Sequence, residues 1–124
     1  MELARARLAG LPNVQVWQAW LPSQWPEQEF DLIVVSEMGY FLVIEDLDVL
    51  TQRMSASLRA GATALACHWR RPIAGCALDG DGVHARLGER LSMARVCSVV
   101  DEDLRLDVWS QYPRSVAQRE GFDW

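Results

Sequence analysis

One apolar run constrains the fold of this chain more than any other feature. Residues 30–36 read FDLIVVS, and positions 32–35 follow one another without a polar break. A half-buried strand alternates apolar and polar residues, whereas a surface helix spaces its apolar residues three and four apart. A short unbroken run is typical of a strand that is buried on both faces of a parallel sheet. The run therefore predicts an α/β protein whose sheet has helices on both faces.

The rest of the chain alternates between helical and strand-like segments. Helices are predicted over residues 2–9, 44–58 and 82–91, the last with Asp79 or Asp81 as its cap. Strands are predicted over residues 13–17, 31–35, 62–67, 95–100 and 104–109. Because the turn at residues 101–103 is too short for a crossover, the sheet is expected to be mostly parallel with one antiparallel C-terminal strand. Residues 1–112 then form one domain, and residues 113–124 form a loosely ordered tail.

Length, charge and cysteine content exclude several classes of protein. A chain of 124 residues suits one small domain, and its net charge of −5 argues against a nucleic-acid partner, because phosphate binding needs a basic face. No apolar run approaches the ~20 residues of a membrane span, and the first ten residues carry charges where a signal peptide is apolar. Cys67, Cys76 and Cys97 lack metal-type spacing and are interpreted as reduced thiols. With arginine as the only basic residue type besides histidine, the composition favours a cytoplasmic bacterial protein.

Polar and aromatic residues follow three of the predicted strands. In an open α/β sheet, ligands bind outside the carboxyl ends of the strands. The three groups are Ser36, Glu37 and Tyr40 after the central run, His68, Trp69 and Arg70 after the next strand, and Ala19, Trp20 and Leu21 after the first. The sequence therefore predicts a cleft at this edge of the sheet. The alternative is that Glu37 only caps or solvates a loop and that Tyr40 packs on a helix.

The histidines and tryptophans leave two interpretations open. His68 has an unperturbed pKa near neutrality and could serve as a general base, or it could be a surface hydrogen-bonding residue. His84 lies in a predicted helix and is assigned a structural role; without clustered acids or thiols, no metal site is expected. Trp17 is assigned to the core, whereas Trp20 and Trp25 could equally stack on an adenine or a sugar.

A glycine-rich segment imitates a nucleotide-binding motif. Residues 80–85 read GDGVHA, which matches the dinucleotide fingerprint with alanine in the last position, and Asp101 follows roughly 20 residues later. That fingerprint must directly follow a strand, whereas the preceding segment contains Pro72 and Gly75. We therefore interpret the motif as a loop and a helix cap rather than as a nicotinamide site.

Four longer segments carry a family resemblance. They are FDLIVVSEMGYFL, DLDVLTQRMSASLRAGA, ALACHWRRPIAG and LDGDGVHARL. Over residues 3–110 the chain resembles class I S-adenosylmethionine-dependent methyltransferases, and in particular the nodulation protein S type that N-methylates chitooligosaccharide signals. The resemblance implies a partial Rossmann-like methyltransferase sheet from the third strand onward. It also implies S-adenosylmethionine as cofactor, and N- or O-methylation of a small molecule or saccharide.

The resemblance also implies roles for particular residues. Glu37 is expected to orient an amine or take its proton, with His68 assisting as a base. The residues implied to line the acceptor pocket are Tyr40, Trp69 and Arg70. The residues implied to contact the cofactor are Ala19, Trp20, Leu21, Ser36, Glu37 and Met38.

The chain departs from the family at its N-terminal end. The family's glycine-rich loop and ribose-binding acid have no counterpart, Gly10 is the first glycine, and Trp20 stands where the family carries an acid. We therefore expect an N-terminally truncated domain that binds cofactor poorly by itself. The strands missing from the family order leave an apolar edge at residues 31–35, and three outcomes are open: the sequence is a fragment of a longer enzyme, the chain dimerises through this edge, or the strand at residues 13–17 shifts to pair with it. A non-catalytic remnant that acts through self-association or a partner is thus the alternative to an enzyme.

Overall fold

The computed structural model describes residues 1–112 and 114–121, which contain four α-helices and four β-strands. In chain order the elements are α1 (Glu2–Leu8), β1 (Phe30–Ser36), α2 (Ile44–Ser57), β2 (Leu58–Trp69), α3 (Gly80–Arg90), β3 (Ala94–Val100), β4 (Leu104–Ser110) and α4 (Val116–Arg119). A short 3₁₀ turn, Gly39–Phe41, lies between β1 and α2.

The strands form one mixed sheet in the order β1-β2-β4-β3. β1 and β2 are parallel, whereas β4 runs antiparallel to both of its neighbours, β2 and β3. The predicted C-terminal hairpin and its single antiparallel strand are therefore confirmed. The carboxyl ends of β1 and β2 meet at one edge of the sheet, where Ser36 is paired with Cys67.

The core lies between one face of the sheet and the pair of helices α2 and α3. Ile33 and Val35 of β1 are paired with Ala64 and Ala66 of β2, and all four are buried on this side. The helices contribute leucines, valine and methionine that are at most 1% exposed: Leu47, Leu50, Met54, Val83 and Leu87. Because alanine side chains are small, they let both helices pack close to the strands.

Helices are divided unevenly between the two faces that were predicted to be covered: among the described residues α2 and α3 pack on the first face, and the four-residue α4 borders the second. On the second face Leu32 and Val34 are 53% and 54% exposed, and Val99 is 57% exposed. The buried residues of α2 and α3 all belong to the core of the first face, and α1 has no buried residue. The unbroken apolar run at residues 32–35 predicts a strand that is covered on both faces. Among the described residues, however, no long helix covers the second face.

The strand predicted over residues 13–17 does not form. This segment starts in a turn and has no β-ladder partner, and its Val16 carbonyl accepts from the Arg5 side chain at 3.3 Å. Strand structure requires a neighbouring strand for its backbone groups, and β1 is paired within the described residues with β2 alone. The assignment of Trp17 to the core is also wrong, because this side chain is 55% exposed.

The remaining elements follow local sequence chemistry. The Asp79 side chain accepts a hydrogen bond from the Gly82 amide at 2.8 Å, so the predicted cap of α3 is confirmed. Residues 70–79 separate α3 from β2, and GDGVHA therefore lacks the strand that a nucleotide fingerprint requires. Within the predicted loose tail, Ser115 and Gln118 form a capping box that starts α4. Positions 113 and 122–124 of that tail lie outside the described residues. In the part of the chain that the structure describes, no helix has the length and apolarity that a membrane crossing needs.

Candidate functional site

The turn after β1 is built around Glu37. Its backbone has φ = 56°, a left-handed conformation that is uncommon for a residue with a side chain. Three hydrogen bonds hold it there: the Glu37 amide donates to the Cys67 carbonyl at 3.0 Å, the Trp69 amide donates to Glu37 Oε1 at 2.7 Å, and the Tyr40 hydroxyl donates to Glu37 Oε2. The turn therefore ties the end of β1 to the end of β2, and it leaves the Glu37 side chain at the surface.

Tyr40 is part of the support for this turn. Its ring is only 3% exposed and meets the His68 ring edge-on, with the centroids 5.3 Å apart. Burial, reinforced by the hydrogen bond to Glu37, raises the pKa of Tyr40 to about 12. Tyr40 therefore remains a neutral hydrogen-bond donor to Glu37 at ordinary pH. The family resemblance implies that Tyr40 lines an acceptor pocket. Its burial, however, leaves little of the ring free for that role.

Beneath the turn lies a line of hydrogen-bonded buried side chains. The Gly39 amide donates to His68 Nε2 at 3.1 Å, His68 Nδ1 lies 2.9 Å from His84 Nε2, and His84 Nδ1 lies 2.6 Å from Asp107 Oδ2. His68 and Asp107 are 0% exposed, and His84 is 4% exposed. We call Asp107, His84 and His68 the histidine relay. It runs from the centre of the sheet to the backbone of the turn.

The relay carries its charge on the carboxylate. Burial lowers the pKa of His68 to about 4, helped by the nearby His84, and burial likewise lowers the pKa of His84. Burial raises the pKa of Asp107, but hydrogen bonds from Ser98 and His84 and the nearby charge of Arg105 outweigh it and bring the pKa below its ordinary value. At neutral pH the relay is therefore one carboxylate and two neutral imidazoles. Both ring nitrogens of His68 face a partner, so this geometry gives the predicted base no free lone pair.

Arg70 lies in a second, charged network beside the turn. Its guanidinium contacts Asp81 at 3.0 Å and the Asp101 carbonyl at 2.6 Å, and Arg105 reaches the same Asp81 carboxylate at 2.9 Å. Hydrogen bonds from Arg70 and Arg105 lower the pKa of Asp81 to about 2. Arg70 is thus held in place by these partners. The neighbouring Trp69 is 40% exposed and borders the Glu37 turn.

Comparison with solved structures identifies proteins that are similar to this chain in sequence and fold. Neither models of known protein families nor curated protein sequences give a match. Among solved structures, a Pseudomonas syringae protein with a provisional methyltransferase name is 48% identical, with a TM-score of 0.76 over 88% of this chain. The solved structures that this chain resembles are class I methyltransferases. This confirms the family that the sequence resembles.

More distant methyltransferases share the fold. The N-methyltransferase NodS from Bradyrhizobium japonicum WM9, solved with S-adenosyl-l-homocysteine, matches 86% of this chain at 21% identity and a TM-score of 0.73. The pyocyanin biosynthetic protein PhzM matches 89% at 14% identity and a TM-score of 0.68. At such identities the likeness concerns the fold alone. The chain spans 65% of the Pseudomonas syringae protein and 59% of NodS, which is less than two thirds of either.

The two halves of the predicted cofactor site do not line one cavity. Ala19 and Leu21 line an apolar groove of about 670 Å³ together with Phe30 and Leu32, and Trp20 is 78% exposed. Ser36 and Met38 lie at the carboxyl end of β1, and neither belongs to the lining of that groove. The residues predicted to contact the cofactor are therefore divided between this groove and the carboxyl end of β1.

The structure brings together most of the other predicted site residues and adds two that sequence reasoning missed. Glu37, Tyr40, His68 and Trp69 surround one turn, whereas His84 and Asp107 were not assigned to any site. The available signal was weak: residues 104–109 place Asp107 among alternating apolar residues, but nothing local says which side of the strand is buried.

Proposed function

We propose that this chain provides the acceptor side of a methyltransferase that transfers a methyl group from S-adenosylmethionine to a nitrogen or oxygen of a small molecule or saccharide. The observation that carries the proposal is the braced, exposed Glu37 turn at the carboxyl ends of the parallel strands β1 and β2. It lies where α/β enzymes place their ligands. The 48% identity to the Pseudomonas syringae protein supports the methyltransferase class.

The chain's own residues can orient an acceptor. S-adenosylmethionine supplies the methyl group in this class, and the protein contributes mainly the relative position of the reactants. The Glu37 oxygens use one hydrogen bond each for the turn, and a carboxylate has about four lone-pair directions. The free directions can accept from an amine or hydroxyl of the acceptor. The half-exposed Trp69 ring offers an apolar surface beside it, of the kind on which sugar rings and alkyl groups pack.

Calorimetric titration with S-adenosyl-l-homocysteine tests the cofactor part of the proposal. The purified chain is titrated in parallel with the Pseudomonas syringae relative, which is the matched reference for the fold. A dissociation constant in the micromolar range, which corresponds to a binding free energy of about −8 kcal/mol, supports the proposal. The absence of heat up to millimolar ligand, with binding to the relative, would mean that this chain alone holds no cofactor site.

Substitution of Glu37 tests the acceptor part. Where turnover of an amine or hydroxyl acceptor is found, Glu37→Gln keeps the shape of the side chain but removes its charge. We expect at least about a tenfold loss of kcat/KM if the carboxylate orients the acceptor. Glu45→Gln in the first turn of α2 is the control, because Glu45 lies outside the site. A loss no larger than that of the control would contradict the role of Glu37.

A second candidate function is self-association without catalysis. The supporting observation is the β1 edge, which has β2 as its only partner among the described residues and carries the exposed Leu32 and Val34. An apolar strand edge of this kind pairs readily with another chain. We propose a second copy as the partner. Light scattering over about a hundredfold range of concentration around the micromolar range tests this proposal. A monomer at every concentration would overturn it.

A further inference from the structure

We infer that the histidine relay consists of positioning residues: Asp107 and His84 fix the ring of His68 so that it accepts from the Gly39 amide and holds the Glu37 turn in place. This inference rests on the proposed function only in calling the Glu37 turn an acceptor site. It assigns a task to His84 and Asp107, and it replaces the base role of His68 with a structural task at the same site.

The hydrogen-bond partners determine every proton in the relay. Because a backbone amide can only donate, His68 Nε2 must carry a lone pair toward Gly39. A neutral His68 then bears its proton on Nδ1 and donates it to His84 Nε2. His84 in turn bears its proton on Nδ1 and donates to the Asp107 carboxylate. With Asp107 ionised and both rings neutral, only this arrangement satisfies all three contacts.

The carboxylate end sets the direction of the relay. If His84 carried its proton on Nε2, it would oppose the Nδ1 proton of His68 and leave Asp107 Oδ2 without its ring donor. The neutral ring has one proton, and the buried charge of Asp107 selects the nitrogen that holds it. Asp107 therefore acts on the turn through two rings, although it does not contact the turn itself.

The absence of a side chain at Gly39 allows its backbone amide to approach the His68 ring closely. A Cβ atom built on Gly39 would lie 2.6 Å from Val83 Cγ1 and 3.1 Å from His68 Nε2. A side chain at this position would therefore push the 3₁₀ turn away from both α3 and His68. Glycine at position 39 and the ring of His68 form one fitted contact, which is more than a core imidazole requires for burial.

One added proton would break this contact. In the neutral relay every donor–acceptor pair already shares a proton, and two nitrogens, His84 Nε2 and His68 Nε2, carry none. A proton added at His84 Nε2 would oppose the Nδ1 proton of His68 unless that proton moved, so either addition that keeps the hydrogen bond between the rings leaves a proton on His68 Nε2. Its protonation sets N–H against N–H at Gly39, so the turn loses its anchor. The charged and titratable groups around the rings come from the strands, α3 and the turn: Asp107, Arg105, Arg95, Asp81, Glu37 and Tyr40. Burial keeps the pKa of His68 near 4, so the anchor persists through neutral pH.

Nitrogen NMR of the histidine rings tests the assignment without cofactor or substrate. At pH 7 we expect both rings to carry the proton on Nδ1, with His68 Nε2 and His84 Nε2 unprotonated. A proton on His68 Nε2 at pH 7 would overturn the inference, because Gly39 could not then donate to it. This readout is independent of methyl transfer, so the relay can fail while the proposed function stands, and the reverse also holds.

Hydrogen exchange of the Gly39 amide tests the role of Asp107. Asp107→Asn keeps the shape of the side chain but removes the charge that selects the His84 tautomer. We expect Gly39 to exchange at least about tenfold faster than in the parent, while the Leu47 and Leu91 amides of the helices change less. Asp48→Asn, a charge removal between α2 and α3 that does not touch the relay, is the matched control and should leave Gly39 unchanged.

Two outcomes of the exchange experiment would count against the relay. Equal Gly39 exchange in Asp107→Asn and the parent would mean that the carboxylate does not reach the turn. An equal acceleration of all core amides would mean that Asp107 serves general stability alone. If Asp107→Asn does not fold, the tautomers and Gly39 exchange of the parent protein between pH 7 and 4 decide: protection at Gly39 should fall as His68 protonates, ahead of the helical amides.

Discussion

The two faces of the sheet are similarly apolar in sequence but differ completely in burial. The covered face carries the row Val35, Ala66 and Asp107, whose members are at most 5% exposed. The neighbouring row on the open face is Val34, Leu65 and Val108, which is entirely apolar, and Val34 is 54% exposed. The more polar row is thus the more deeply buried one.

This difference teaches that covering helices, and not apolarity alone, decide where the core of this chain lies. The covered face accepts polar groups because they pair with one another in the relay, although the buried Asp107 Oδ1 has no hydrogen-bond partner among the described residues. The open face has larger apolar side chains, but within the described residues the helix that borders it is α4, which has four residues. Stability and association can therefore be separated experimentally, face by face.

The largest expected effect is a cavity on the covered face. Leu47→Ala should lower the free energy of unfolding by about 2–5 kcal/mol, because Leu47 is 0% exposed between α2 and the sheet. The matched change on the open face, Leu32→Ala, should cost less than about 1 kcal/mol. Urea unfolding monitored by tryptophan fluorescence measures both. Equal costs would mean that the open face is covered in solution.

Acidification should destabilise the covered face before it affects surface ion pairs. The pKa of His68 falls from 6.5 in the unfolded chain to about 4 in the fold. Between these two pH values His68 is protonated in the unfolded chain but neutral in the folded chain. The free energy of unfolding is therefore at its full value above pH 6.5 and declines as the pH falls toward 4. We expect a loss on the order of 1–3 kcal/mol across this window.

The carboxylates extend the decline to lower pH. The pKa of Asp81 lies near 2, against 3.8 when unfolded, so the stability it provides is lost only as pH falls through that lower range. Urea midpoints at pH 7, 5.5, 4.5 and 3 separate the two windows. A flat profile from pH 7 to 4.5 would contradict the buried, neutral state of the histidines. Open-face variants such as Leu32→Ala should show the same pH profile as the parent.

A smaller effect is expected at the ion pair that joins the two covering helices. Asp48 of α2 accepts from Nε and Nη2 of Arg86 at 2.7 and 2.6 Å and lies 3.0 Å from Arg90. These contacts lower the pKa of Asp48, with the Arg86 hydrogen bond as the main cause. Asp48→Asn should lower the urea midpoint by less than Leu47→Ala does, and high salt should shrink the difference. A change that is insensitive to salt would assign it to packing.

Much of the fold could be predicted because local signals agree with the final structure. The run at residues 30–36, the apolar spacing of α2, the Asp79 cap and the acidic turn before β4 each act over a few residues. The predictions that failed depend on which elements pack or pair with one another. Residues 13–17 have strand-forming composition, but a strand depends on a neighbour that local sequence does not specify.

The site could be predicted only as a set of residues. The positions of the strand ends single out Glu37 and Trp69, and the structure joins these two residues by a hydrogen bond that follows from the β1–β2 register. The relay could not be predicted, because Leu104, Leu106 and Val108 alternate as a buried set would, yet Asp107 and Trp109 face the core. The period of two gives the faces of a strand but not which of them is covered.

The smallest expected effect on stability is a polar replacement on the open face. Val34→Thr keeps the β-branched shape and exchanges one methyl group for a hydroxyl that stays in water, since Val34 is 54% exposed. We expect a change within about 0.5 kcal/mol. Val35→Thr, one residue away and 5% exposed, buries the same hydroxyl among apolar groups and should cost about 1–3 kcal/mol.

The two valine variants also separate folding from association. If the open face joins two copies, Val34→Thr should weaken the dimer in light scattering while the monomer remains folded, because the hydroxyl is then desolvated only in the dimer. An unchanged dimer would place any interface elsewhere. A large loss of stability in Val34→Thr at concentrations where the chain is monomeric would mean that other residues of the same chain cover Val34, and the contrast between the two faces would then fail.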